Sequence, residues 1–323
     1  MIQQIPIASV EQWLELRKAD VTASVVGALR NLHPFTSRLR LYKEKIGVDM
    51  GTVKQNVRMR RGSEIEAAIG AMVGRKHRDW KITEPNVYLR DPERRIGATP
   101  DFFIESDEEL GLGVLQTKLT TEKNFRREWM SDDGTLMVPP WIVLQTTVEA
   151  MLAGATFGMV AVLIDDPWNR LEQDLYEFRI ERHTKGEERI RQDVAEFWDD
   201  VANQREPDVN ASLDGELVHM LYQETSELET VDLTGDNYLP GALIERAAAK
   251  ERIKADQALV DEVDTYILGK MGTAEIAFVN GFTITAKSYT AKPFWNPGGR
   301  RRPLRVKDIR PTEIIDDGKP IKF

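Results

Sequence analysis

The chain reads as a mixed α/β fold, and three observations carry that reading. Apolar residues recur at helical spacing from Arg60 to Val73 (Ile65, Ile69, Met72, Val73) and again at Trp141, Leu144, Val148, Met151 and Leu152. Between these helices lie three strand signals, Val87–Leu89, Ile96–Ile104 and Gly111–Leu119, the last two joined by the acidic turn 105–109 as a β-hairpin. After the second helix the apolar run 158–164 has the composition of a buried strand and 175–182 alternates as a half-exposed one. Ile190, Val194, Phe197, Trp198 and Val201 mark a closing helix.

Upstream, residues 10–18 read as a short helix with Trp13, Leu14 and Arg17, and Thr22-Ala23-Ser24 looks like the N-cap of another. Glu66 lies three and seven residues before Ile69 and Val73, so its carboxylate leans toward the buried stripe. Gln145, four residues after Trp141, falls inside an apolar stripe, where an amide needs a partner, and Gly154 ends that helix. Strand alternation points Gln116 and Lys118 one way and Leu115 and Thr117 the other, with Asp101 on the partner strand able to face them. Three regions follow: a core over 1–206, a polar linker or irregular insertion over 207–239, and an accessory region over 240–323. The last holds one long helix to Lys270, a β-hairpin turning at Asn280-Gly281, and a basic tail.

Composition narrows the chemistry. With 323 residues, 41% of them hydrophobic, the chain can bury a large core. It lacks cysteine, and its four histidines (His33, His77, His183, His219) stand at no metal-ligand spacing, so a bound metal should be held by oxygen. No apolar run approaches the roughly 20 residues that cross a bilayer, and the start lacks signal-peptide character, so no membrane partner and a cytoplasmic location are expected. The net charge of -9 opposes nucleic acid only as an average. Basic clusters stand at Arg58, Arg60 and Arg61, at Lys123, Arg126 and Arg127, and from Arg300 to Lys307. Any one of them alone is equally well a solvated surface.

Pro100-Asp101, followed by Gln116-Thr117-Lys118, nearly spells the two carboxylates and a lysine of a metal-dependent nuclease. Hard oxygen ligands hold Mg²⁺, and a lysine steadies the attacking water or the charge of the transition state. At 116 an amide stands where a second carboxylate is expected. Alone, the triplet is more often structural, and Glu66 is as readily an ion-pair partner of Arg60 or Arg61, with Glu64 as its competitor. Ser24 and Arg17 likewise read as an N-cap and a surface ion-pair residue, although a hydroxyl, a helix start and a guanidinium together suit a terminal phosphate.

Taken together these residues resemble the lambda-exonuclease or YqaJ-type phage recombination nucleases of the PD-(D/E)xK superfamily, over residues 10 to about 200. The likeness rests on Trp13-x-x-x-Arg17 with Val21-Thr22-Ala23-Ser24, Arg61-Gly62-x-x-x-Glu66, Ala98-x-Pro100-Asp101, Gln116-x-Lys118, and Gln145 ahead of Gly154. It implies a restriction-endonuclease-like αβββαβ core, here with a C-terminal helical and β-hairpin extension. It also implies Asp101, Gln116 and the Thr117 carbonyl as metal ligands for Mg²⁺, with Mn²⁺ as the alternative ion. Lys118 becomes the catalytic lysine, Glu66 a group orienting water, and Gln145 a support of the site. Arg17, Ser24 and Thr22 fall to the 5′ phosphate. Where the family carries an arginine after the catalytic lysine, this chain has Asn124, with Lys123 and Arg126 as the neighbouring cations. The resemblance further implies double-stranded DNA ends as substrate, a ring-like homotrimer, and a single-strand annealing partner. The activity expected is 5′ to 3′ exonucleolytic hydrolysis by a metal-activated water, in the host cytoplasm if phage-encoded. The alternative is a DNA-end-binding protein weakened or silenced by Gln116, an arrangement that Gln116→Glu would reverse with about a tenfold gain or more.

Overall fold

The structure, a computed structural model, describes residues 1–49, 57–106, 111–165, 171, 173–224 and 230–288, with side chains omitted at 57–64. The chain divides into two compact units, Met1–Leu221 and Tyr222–Phe323. Among the described residues no helix is long and apolar enough to cross a membrane. The clusters at Arg58, Arg60 and Arg61 and at Arg300 to Lys307, the Glu64 side chain, and turn residues 107–109 lie outside the described residues.

In the first unit the order is β1 (Gln3–Pro6), α1 (Val10–Ala19), β2 (Val21–Thr22), a 3-10 helix (Ala23–Arg30), α2 (Arg38–Lys45) and α3 (Val57–Lys76). There follow β3 (Trp80–Thr83), β4 (Val87–Asp91), β5 (Ile96–Ala98), β6 (Phe102–Ser106), β7 (Gly113–Thr120) and α4 (Glu122–Glu128). The unit closes with α5 (Pro140–Ala153), β8 (Phe157–Ile164), β9 (Leu175–Glu181), α6 (Thr184–Ala202) and α7 (Gly215–Leu221). The main sheet has the order β3-β6-β7-β8-β9, with β7 and β8 parallel and the other neighbours antiparallel. Read as α3, β3, β6, β7, α5 and β8, this is the expected αβββαβ succession. A smaller sheet, β1-β4-β5-β2, is inserted into it.

The two faces of β7 are covered by different helices. Leu115 packs with Ile69 and Val73 of α3 and with Phe102, Met159 and Ala161, while Val114 packs with Ala150 of α5. Each such aliphatic chain contributes about 1.5–3 kcal/mol by burial. Gly70 lets α3 approach closely, because a Cβ there would lie 2.7 Å from the Phe102 ring. Gly154 ends α5 with φ +65°, a left-handed cap that glycine adopts without strain.

Four expectations change. The stretch Ile96–Ile104 is two strands in different sheets, since Pro100 has no N–H to give a ladder and its neighbours turn from one sheet to the other. The first strand of the main sheet is β3, whose Trp80 and Ile82 alternate with Lys81, whereas Val87–Leu89 belongs to the smaller sheet. Ser24 is not an N-cap: Thr22 holds that place without a side-chain cap bond, and the helix is 3-10. Lastly, part of the expected linker is structured, for α7 buries Leu217, and the buried Asp214 carboxylate accepts a 2.5 Å hydrogen bond from Ser37 Oγ. A chain ending at Glu206 should therefore melt lower than one ending at Leu221, by roughly 6–12 °C for a loss of about 3 kcal/mol. Equal melting temperatures would contradict this.

The second unit holds α8 (Leu239–Met271) and the antiparallel pair β10 (Ile276–Val279) and β11 (Phe282–Thr285), turning at Asn280-Gly281 with φ +81° at the glycine.

Candidate functional site

Asp101 sits just before β6, and the β6–β7 register (Phe102 opposite Leu115) carries it opposite Gln116. The turn at Pro100 leaves it outside the ladder, free to gather donors. Asp101 Oδ2 accepts from Gln116 Nε2 (2.6 Å), Thr117 N (2.7 Å) and Thr117 Oγ1 (2.8 Å). Gln116 Nε2 also donates to the Thr117 carbonyl at 3.3 Å, so this amide nitrogen lies between two oxygens assigned to a metal.

A polar chain runs from Gln116 toward α5. Gln145 Nε2 donates to Gln116 Oε1 (2.6 Å) and to Glu149 Oε1 (2.9 Å), and Gln145 Oε1 accepts from Lys118 Nζ at 3.3 Å. The Lys118 ammonium is 5.7 Å from the centre of the Trp141 ring. From the other helix, Glu66 lines an open cleft of about 590 Å³ together with Thr117, Lys118, Lys123, Asn124 and Arg127. Arg126 points elsewhere and pairs with Glu122 at 2.8 Å, so Lys123 and Arg127, one helical turn apart, are the cations beside Lys118. The structure thus gathers Glu66, Asp101, Gln116, Thr117, Lys118 and Gln145 where the two helical layers meet the end of the hairpin.

Three carboxyls here are shifted upward. Burial raises Asp101 against the pull of Lys118 and the Thr117 hydrogen bonds. Glu66 and Glu149 are raised first by burial and then by the charge of Asp101. Concentrated, poorly solvated negative charge of this kind, opposed by Lys118, is further relieved by a cation. Among the described residues no three acidic or histidine side chains converge as a ready-made cation cage. The donors nonetheless fit a hard ion: the Asp101 carboxylate, the Thr117 carbonyl and the Gln116 amide oxygen are all oxygens, and an N–H already stands between the first two.

A second cluster forms around α1. Arg17 Nη2 donates to Ser24 Oγ (3.0 Å), Ser24 Oγ lies 3.1 Å from Thr22 Oγ1, and the guanidinium stacks 4.4 Å from the Trp13 ring centre. Burial lowers the pKa of Arg17, which makes no ion pair among the described residues. Lys45, also lowered by burial, donates to the Arg17 carbonyl at 2.9 Å. Two contacts tie this cluster to the first. Trp13 Nε1 donates to Thr99 Oγ1 at 3.1 Å, beside Pro100, and the His33 ring lies 5.4 Å from that of Trp141. Burial holds His33 below the usual histidine range, with a hydrogen bond to the Ser24 backbone opposing and the Lys118 charge adding.

Sequence reasoning missed Glu149, Lys45 and His33. Glu149 was readable, because it follows Gln145 by four residues on the same helical face. Lys45 and His33 carry no such signal, their positions depending on how α2 and the loop before it return to α1.

Residues 12–156 match the profile of the YqaJ-like viral recombinase domain, a span holding every residue named in the two clusters. No curated protein matches the chain. Among solved structures, the alkaline exonuclease LHK-Exo from Laribacter hongkongensis aligns with 60% of this chain and 94% of its own, at 20% identity and TM-score 0.45. LHK-Exo in complex with dAMP gives 18% identity over the same shares and TM-score 0.47. A phage related exonuclease from Haemophilus somnus 129PT aligns over 57% of this chain and 96% of its own, at 11% identity and TM-score 0.40. Over residues 12–156, then, this chain is similar to the YqaJ-like viral recombinase domain.

Proposed function

We propose that the protein is a Mg²⁺-dependent exonuclease that degrades one strand of duplex DNA from its 5′ end. The observation that carries this reading is the meeting of Lys118, Thr117 and Glu66 at one open cleft, with Asp101 hydrogen-bonded to Thr117 and Gln116 beside it and Gln145 bridging Lys118 to residue 116. Asp101, the Thr117 carbonyl and Gln116 would hold the metal, which when bound supplies positive charge against the scissile phosphate and makes water more acidic. Lys118 would place its ammonium against the charge developing on the phosphate, held in line by Gln145 and the Trp141 face. Glu66 would orient water from the opposite wall, its carboxylate made a better proton acceptor by the burial that raises its pKa. Lys123 and Arg127 would hold the DNA backbone along the cleft. Family resemblance supports a ring of subunits around the duplex and an annealing protein as partner.

The Arg17 cluster would hold the terminal 5′ phosphate, since a half-buried guanidinium that makes no ion pair among the described residues and has two hydroxyls beside it suits that anion. Arg17→Ala should remove the preference for 5′-phosphorylated over dephosphorylated duplex. That loss is about tenfold to a hundredfold, the worth of a hydrogen bond to a charged group. An unchanged preference overturns the assignment.

One observation favours a second reading, a DNA-end-binding protein without chemistry: the Gln116 N–H stands between Asp101 and the Thr117 carbonyl. End-labelled duplex incubated with and without Mg²⁺, with release followed from each strand, separates the two. Release that requires Mg²⁺ and starts at the 5′ end supports the nuclease, and binding without release supports the second reading.

A further inference from the structure

The acidic side chain that neither the hairpin motif nor its chemistry uses is Glu149. It is 1% exposed, lies on the turn of α5 after Gln145, and has one oxygen held by Gln145 Nε2 at 2.9 Å. Its other oxygen, Oε2, is buried and has no hydrogen-bond partner among the described residues. A carboxylate in an apolar layer is costly, and a half-satisfied one more so. Accepting from Gln145 occupies only one of its two oxygens. The acid also stands at an informative place. Only two hydrogen bonds, of 2.9 and 2.6 Å through Gln145 Nε2, separate it from Gln116 Oε1.

We propose that Glu149 supplies the second carboxylate of the cation site, providing from helix α5 the charge that position 116 on the strand lacks. This rests on the nuclease reading. In the metal-free arrangement the amide dipoles run one way: Gln116 gives its N–H to Asp101, and Gln145 gives its N–H both to Gln116 and to Glu149. Were Asp101 and the Thr117 carbonyl to hold a cation, that first N–H would be unwelcome beside them and an oxygen of residue 116 would be favoured in its place. Gln116 answers by turning its amide over, which directs Nε2 at Gln145. Gln145 would then turn as well, to accept, giving up the hydrogen bond that its Oε1 now takes from Lys118 Nζ. That second turn takes away the donor that holds Glu149 Oε1, and the carboxylate is released toward the positive charge. Gln116 and Gln145 are therefore positioning residues whose amide polarity reports whether the cation is present.

The test measures binding of Mn²⁺ alone, without DNA, to the full chain by calorimetry or by the free-ion magnetic resonance signal. Glu149→Gln keeps size and removes charge, and should weaken Mn²⁺ by at least about tenfold, the lower end of what loss of even an indirect metal contact produces. Adding Gln116→Glu to Glu149→Gln returns the carboxylate to the strand and should restore the affinity of the parent. A purely structural Glu149 would change the melting temperature without either effect. Equal Mn²⁺ affinity in the parent and Glu149→Gln overturns the proposal while leaving the nuclease reading in place. A parent that neither binds Mn²⁺ nor releases label overturns both. Should Glu149→Gln fail to fold, the double variant decides: parental affinity upholds the proposal, and affinity no better than that of Asp101→Ala sinks it.

Discussion

Asp101→Asn should lower Mg²⁺-dependent release of label by about a thousandfold or more, while making the metal-free protein more stable than the parent at pH 8. The first effect follows from removing a full negative ligand, since about 4 kcal/mol lost from the transition state corresponds to that factor. Asparagine is the informative replacement because its amide oxygen can still accept the donors now on Oδ2, Gln116 Nε2, Thr117 N and Thr117 Oγ1. The second effect follows from the direction of the pKa shift. Asp101 is raised in the folded protein, chiefly by burial, and Glu66 and Glu149 are raised with it. A carboxyl raised on folding contributes stability that is fully present below its unfolded pKa, about 4, and lost as pH rises through its folded value. The parent therefore loses stability across that window and asparagine, which does not titrate, loses less. The variant's advantage should open above about pH 4, vanish in acid, and shrink when Mg²⁺ is added to the parent. Calorimetric melting from pH 4 to 8 in chelator measures it. A parent that gains on the variant as pH rises would show that the Asp101 charge is welcome without metal, contrary to its surroundings here.

How far the sequence revealed this site depended on the range of the contacts that build it. Helical spacing placed Glu66 beside Ile69 and Val73, and Gln145 inside the Trp141 stripe, because both relations are set within one or two turns. Alternation set Gln116 and Lys118 on the same side, and the hairpin carried Asp101 opposite them. What escaped was tertiary. Pro100 reads as an interruption, but that it sends the chain from one sheet into another depends on β4 and β1 being available to pair. The strand β3 is too short to announce itself, and its register with β6 depends on packing against α3. Arg17 and Ser24 were read together, yet the burial that lowers Arg17 and the approach of Lys45 to its carbonyl come from how the chain returns through α2. Glu149 was passed over for a different reason. A glutamate among Val148, Met151 and Leu152 looks like an edge residue until the structure shows the helix buried on that side.

Gln116→Glu, from sequence alone, should improve the nuclease at a small cost in metal-free stability; the surroundings of residue 116 make that cost larger. Its Nε2 now satisfies Asp101 Oδ2 at 2.6 Å and the Thr117 carbonyl at 3.3 Å. A carboxylate in its place sets oxygen against both, and without metal this should destabilise the protein by on the order of 2–3 kcal/mol at pH 8. The sign with pH follows from what each form can donate. A protonated carboxyl restores the O–H to Asp101 that the amide supplied as N–H, so the new group is raised on folding. Its penalty is absent in acid and appears as pH rises through the folded pKa. Mg²⁺ should cancel the same penalty at pH 8, because the cation meets the oxygens that repel one another. Activity then discriminates between two arrangements of charge. If Glu149 already serves the cation, a further carboxylate on the strand changes label release by less than about threefold, a shift of roughly 0.65 kcal/mol, whereas a site that truly lacks its second acid gains about tenfold or more. Melting at pH 5 and pH 8, with Mg²⁺ and with chelator, is read on the same protein samples as release. A variant that melts like the parent in all four conditions would show that the amide N–H between Asp101 and Thr117 holds nothing in place.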